Sequence, residues 1–161
     1  MLAALAAVGA GLIHLATAIG SPPAVAAIVV VIGVVELGWG VVAMAGPGTP
    51  VPDAARVGAL VPVVLWVVVL LAAGPARLGP FTSAVRLAPM LAASALDLVV
   101  VAGVTIARRA GERRPMPHGR AVVAIVLCGA AIALLTAAAL GATQAGDELR
   151  SGTGFFAPHR H

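Results

Sequence analysis

The sequence predicts an all-α polytopic membrane bundle of about five transmembrane helices, with the N-terminus cytoplasmic and the C-terminus outside. Three observations lead there. Of the 161 residues, 61% are hydrophobic and only 10% charged, whereas a soluble domain is closer to half apolar with about a quarter of its residues charged. The mean hydropathy is +1.09. The charges fall mostly in short segments between apolar runs, and each run is close to the ~20 residues that cross the hydrocarbon core.

The first apolar run covers 2–19 and ends at Gly20-Ser21-Pro22-Pro23. The second covers 25–45 and ends at Gly46-Pro47-Gly48. The third covers 57–73, with Gly74-Pro75 as its stop, and Pro62 is expected to bend its first turns. The fourth covers 89–107 and ends at Arg108-Arg109; the fifth covers 121–142. Glycine and proline punctuate because proline has no backbone N–H to donate and glycine favours the turn. Residues 1–145 are read as the bundle and 146–161 as an extracytoplasmic tail. Helix 1 lacks the basic leader of a signal peptide, so its retention in the mature chain is expected. Segment 74–88 is expected as an outer loop.

All ten basic residues are arginines, and five of them, Arg108, Arg109, Arg113, Arg114 and Arg120, cluster between the fourth and fifth runs. Under the positive-inside rule that segment is cytoplasmic and fixes the orientation of the rest. The same clustering explains the pI near 11.4 without nucleic acid, for which the chain offers no aromatic-basic stacking surface. A single cysteine, Cys128, excludes an internal disulfide and a paired-cysteine metal site; it is expected to pack inertly. The dominance of Ala, Val and Gly, with arginine and no lysine, reads as GC-rich coding of the actinobacterial kind.

Three ionisable residues interrupt the apolar runs: His14, Glu36 and Asp97. An ionisable group within the hydrocarbon is costly and is rarely there without a role. Glu36 and Asp97 lie about one residue from the middle of their helices, and His14 roughly 5 Å from the middle of its own, toward the outer side. The short turn after helix 1 makes helices 1 and 2 an antiparallel hairpin, which brings His14 and Glu36 near one another. Whether Asp97 joins them depends on helix packing. A histidine with two carboxylates is a ligand set for a divalent transition metal, copper or zinc, and equally a proton relay. The alternative is an interhelical hydrogen bond that only holds helices together. Met90, two turns from Asp97 on the same face, is a candidate soft ligand or a packing residue. His159 and His161 alternate near the C-terminus and are candidate helpers; His118 is expected to be solvated. Gly9, Gly11, Gly33, Gly38 and Gly40 offer small faces for close helix packing, and Trp39 lies one turn from Glu36.

No phosphate-binding loop, nucleophile elbow, zinc-protease or haem-attachment motif is present in the sequence, so no catalytic residue is assigned and a non-enzyme is expected. Three functions remain: a metal-handling membrane protein, a non-catalytic accessory or scaffold subunit of a larger complex, and a proton-coupled carrier. The expected partners are the lipid bilayer and a second copy or a larger membrane complex.

Two short stretches carry resemblances. Gly11-Leu12-Ile13-His14-Leu15 resembles a first-helix motif of small uncharacterised actinobacterial membrane proteins, some of which end in histidine-containing tails. Ile32-Gly33-Val34-Val35-Glu36-Leu37-Gly38-Trp39-Gly40 is similar to the second helix of DoxX-like membrane proteins, a four-helix family with a glutamate among glycines. That likeness covers about a quarter of the chain and implies an accessory subunit in redox-linked processes. Only Glu36 maps onto it; five spans and a histidine tail depart from it.

Overall fold

The computed structural model describes residues 1–45, 52–84, 87–110 and 118–151. They form six helices and, among the described residues, no strand: α1 (Leu2–Ala18), α2 (Pro23–Ala45), α3 (Pro52–Ala84), α4 (Leu87–Ala110), α5 (His118–Gly141) and α6 (Gln144–Ser151). Three stretches are long and apolar enough to cross a membrane: Pro23–Ala45, Leu87–Ile106 and Val122–Gly141. Leu2–Ala18 and Ala54–Val68 are shorter apolar helices.

The centre of the bundle is α1. It packs most extensively against α2, then α4, then α5. Its composition explains this: Ala4, Ala6, Ala7, Gly9, Ala10 and Gly11 are all buried, and side chains this small let several helix backbones approach one axis. Ile13, Ala93, Leu96 and Val100 fill the core beside them. The outward faces of the surrounding helices are apolar instead of polar. Val31, Val35, Val64, Leu127 and Leu134 are all more than half exposed, an arrangement that suits lipid and that water would penalise.

The hairpin between α1 and α2 is made by local chemistry. Ile19 is extended, and Gly20 takes φ +82°, a left-handed conformation that glycine adopts without strain. The Ser21 hydroxyl donates to the Thr17 carbonyl at 2.7 Å, and Pro23 opens α2, a position where its missing N–H costs nothing.

Glycine sets how closely α1 and α2 approach. A Cβ on Gly11 would stand 2.7 Å from the Gly33 carbonyl oxygen, one on Gly33 2.8 Å from that of Gly11, and one on Gly40 2.8 Å from the Ala4 carbonyl oxygen. Gly9 serves the other side, where a Cβ would meet Thr136 Oγ1 at 2.6 Å. Gly38 differs: it is exposed, and a Cβ there would meet nothing within 4 Å. It contributes no close packing between the described helices.

Two expectations are corrected. Gly74-Pro75 does not end α3, which continues to Ala84 through Pro75 and Pro80. Each proline removes one backbone hydrogen bond, and the remaining bonds carry the helix past it. Of the expected 74–88 loop, residues 74–84 and 87–88 are helical, and 85–86 lie outside the described residues. The start of the tail is also helical: α6 packs against α5 and α1, with Arg150 donating to Asp147 and Gln144 Nε2 donating to Glu148 Oε1 at 3.1 Å. These pairs lie three and four residues apart, where helical side chains meet. Cys128 is exposed on α5, so it faces outward and is not packed inside.

The glycine geometry makes a direct prediction. Gly33→Val forces a branched side chain into the facing backbone and should destabilise by about 1–3 kcal/mol. Gly38→Val should change stability by less than about 0.5 kcal/mol. Thermal unfolding of the two variants in the same detergent checks the contrast.

A buried histidine and carboxylate cluster

His14 on α1, Glu36 on α2 and Asp97 on α4 meet inside the bundle. Each offers one ligand atom such that all three atoms lie within 4.8 Å of one another. They are 2%, 7% and 1% exposed, respectively. His14 Nδ1 and Glu36 Oε2 are hydrogen-bonded at 2.7 Å. Helix placement explains the pairing. Gly11 lies one turn before His14 and Gly33 one turn before Glu36, so the glycine contact holds the two side chains at hydrogen-bonding range. The extensive packing of α4 on α1 brings Asp97 to the same point, which resolves what the sequence leaves open.

The cluster is incompletely bonded. Glu36 Oε1 and both Asp97 oxygens are buried without a hydrogen-bond partner. A buried carboxylate oxygen normally finds a donor, because leaving one unmade costs about 1–3 kcal/mol or more. Even with His14 protonated, two ionised carboxylates leave the group one negative charge in excess. An uncompensated charge in an apolar interior costs several kcal/mol, so a proton or a bound cation must supply the balance.

A cavity of about 340 Å³ opens beside the cluster. Glu36 and Asp97 are its ionisable lining residues, and Trp39 forms part of its wall. Trp39 also packs against the main core.

The other sequence candidates separate from this centre. Met90 is buried with Trp66, flanked by Val25 and Leu70. Seven residues of helix place it about 10 Å along the axis from Asp97, too far for its sulfur to share one ion with that carboxylate. Arg108 and Arg109 lie in the last turn of α4, and Arg120 lies in the first turn of α5. Arg113, Arg114, His159 and His161 lie outside the described residues. Sequence reasoning missed the cavity, whose signal is a run of small residues on one face of α3: Ala54, Ala55, Gly58 and Ala59.

The class these features define is a helical bundle with a buried one-histidine, two-carboxylate centre. Comparison with family models, curated proteins and solved structures finds no match for the chain.

The unequal bonding predicts unequal mutants. His14→Ala strips Glu36 of its partner and should destabilise by about 1–3 kcal/mol. Asp97→Asn replaces a carboxyl whose oxygens have no hydrogen-bond partner, so it should leave stability unchanged or raise it. Paired denaturation curves of the two variants decide this; a loss for Asp97→Asn as large as for His14→Ala would make Asp97 a structural partner.

Proposed function

We propose that the chain is a multi-pass protein of the cell membrane that binds a divalent transition metal at His14, Glu36 and Asp97. The observation that carries this reading is the meeting of one imidazole and two carboxylates from three helices, with three carboxylate oxygens left without donors. Imidazole nitrogen and carboxylate oxygen suit zinc or divalent copper. Ligand atoms around a tetrahedral ion at ~2.1 Å lie roughly 3.4 Å apart. The cluster therefore needs to contract by about an ångström, within reach of side-chain rotation. With Met90 packed elsewhere, the soft-ligand argument for monovalent copper loses its support.

In this reading α1 to α5 all cross the bilayer. The arginine-rich segment between α4 and α5 faces the cytoplasm by the positive-inside rule. His14 then lies toward the outer side of the cluster, and the α1–α2 turn and α6 lie at the outer end. Handling of the metal, whether transport or sensing, follows from a site reached from that side. A proton-linked function is the second reading, favoured by the same unpartnered oxygens: a proton supplies the charge balance as well as a metal does.

Elemental analysis of protein purified without a histidine tag separates the two. The metal reading expects close to one zinc or copper ion per chain after loading, lost in His14→Ala and retained when His159 and His161 are both changed to Ala. No metal in the wild-type chain after loading would overturn the metal reading and leave the scaffold and proton-linked readings in its place. An engineered cysteine in the segment 111–117, tested with a membrane-impermeant thiol reagent on Cys128→Ser cells, is expected to label only after the membrane is opened.

A further inference from the structure

We propose that the cleft between α2 and α3 binds a membrane-dissolved organic cation, a primary amine on an apolar chain, which reaches Glu36 and Asp97 from the side of the bundle. The inference shares Glu36 and Asp97 with the metal reading, and the two are separable by experiment. It uses the two carboxylates but not His14, which does not line the cleft.

The first observation is an unpaired helix face. Small residues on one side of a membrane helix ordinarily draw a neighbour close. Ala54, Ala55, Gly58 and Ala59 form such a face on α3, yet α2 and α3 touch little. Ala59 is buried against the main core, but Ala54 and Gly58 beside it are exposed, and a Cβ on Gly58 would meet nothing within 4 Å. The resulting volume of about 340 Å³ is at the lower end of what ligand pockets enclose.

The second observation is the polar end of this otherwise apolar space. Val31, Val35 and Val61 line the cleft and are each at least half exposed, so it is open toward the lipid-facing surface. At its inner end lie the deeply buried Glu36 and Asp97, with three oxygens lacking hydrogen-bond partners. A lipid acyl chain fills the volume but brings no donor to those oxygens. A primary ammonium brings three N–H donors and the positive charge the pair lacks. Its apolar chain occupies the valine- and alanine-lined remainder, where a hydrophilic amine would gain nothing.

Trp39 lines the cleft and reports on it. The chain has two tryptophans, so Trp66→Phe leaves Trp39 as the only one. This variant, in zwitterionic lipid nanodiscs, is titrated with 11-bromoundecylamine and, separately, with 11-bromoundecanol, whose bromine quenches a nearby indole. The expected result is saturable quenching by the amine at a concentration at least tenfold below that for the alcohol. Glu36→Gln combined with Asp97→Asn should erase the difference. Gly58→Phe, which projects into open space and touches neither carboxylate, should weaken amine quenching at least tenfold while leaving zinc loading unchanged. Equal quenching by amine and alcohol, or an amine effect that survives either change, would overturn the proposal. Zinc loading retained in a chain that shows no amine preference would reject this inference alone; amine preference without zinc loading would reject the metal reading alone.

Discussion

Placing even a methyl group at position 11 or 33 would press it into the facing helix backbone, and the architecture of the site depends on that closeness. Gly11 and Gly33 bring α1 and α2 into near backbone contact. His14 and Glu36 sit one turn further along their respective helices, at 2.7 Å from one another. A wider spacing between the helices would separate the imidazole from the carboxylate and expose both to an apolar interior without a partner. In a bundle whose outer faces are themselves apolar, the hydrophobic effect does little to hold one helix to another. Close packing of small residues and a few polar contacts must do so. The chain therefore concentrates both at one place.

The same economy shapes the rest of the bundle. An α1 built largely of alanine and glycine accepts α2, α4 and α5 around a single axis, and that is how Asp97 arrives beside a histidine more than eighty residues earlier in the sequence. Three helices each contribute one polar group to a point that none could form alone. The bonding they achieve is partial, since His14 satisfies one oxygen of Glu36 while Asp97 has none of its own satisfied. A centre that stabilises the bundle would satisfy its acceptors internally. One that takes up a cation leaves acceptors waiting for it, and accepts a stability cost in the empty state.

Much of this was legible from residue order. The Gly20-Ser21-Pro22-Pro23 turn announces the α1–α2 hairpin, and with it the approach of His14 to Glu36. The helical class follows from the apolar runs. What escaped the sequence depended on contacts between distant segments. Asp97 could not be assigned to the cluster because the neighbour of α4 is decided by side-chain fit and not by loop length. Met90 shares a helical face with Asp97, but the two-turn rise sends it to Trp66. The Gly74-Pro75 pair carries a stop signal that the helix overrides, because a proline costs one hydrogen bond in a helix that keeps the others. Gly38 sits in the same glycine-rich stretch as Gly33 and Gly40, yet its angular position on α2 points it outward. The cleft on α3 was invisible because a run of small residues reads identically whether a neighbour fills it or not.

The central claim is that His14, Glu36 and Asp97 form one cation centre within the bundle. X-ray absorption at the zinc edge, on protein loaded with one equivalent of zinc and with His159 and His161 changed to Ala, tests it most directly. The account predicts a nitrogen and oxygen shell at ~2.0–2.1 Å with the outer-shell scattering of a single imidazole, and loss of that imidazole signal in His14→Gln. A shell of water-like oxygens alone, or an imidazole signal that persists in His14→Gln, would contradict it.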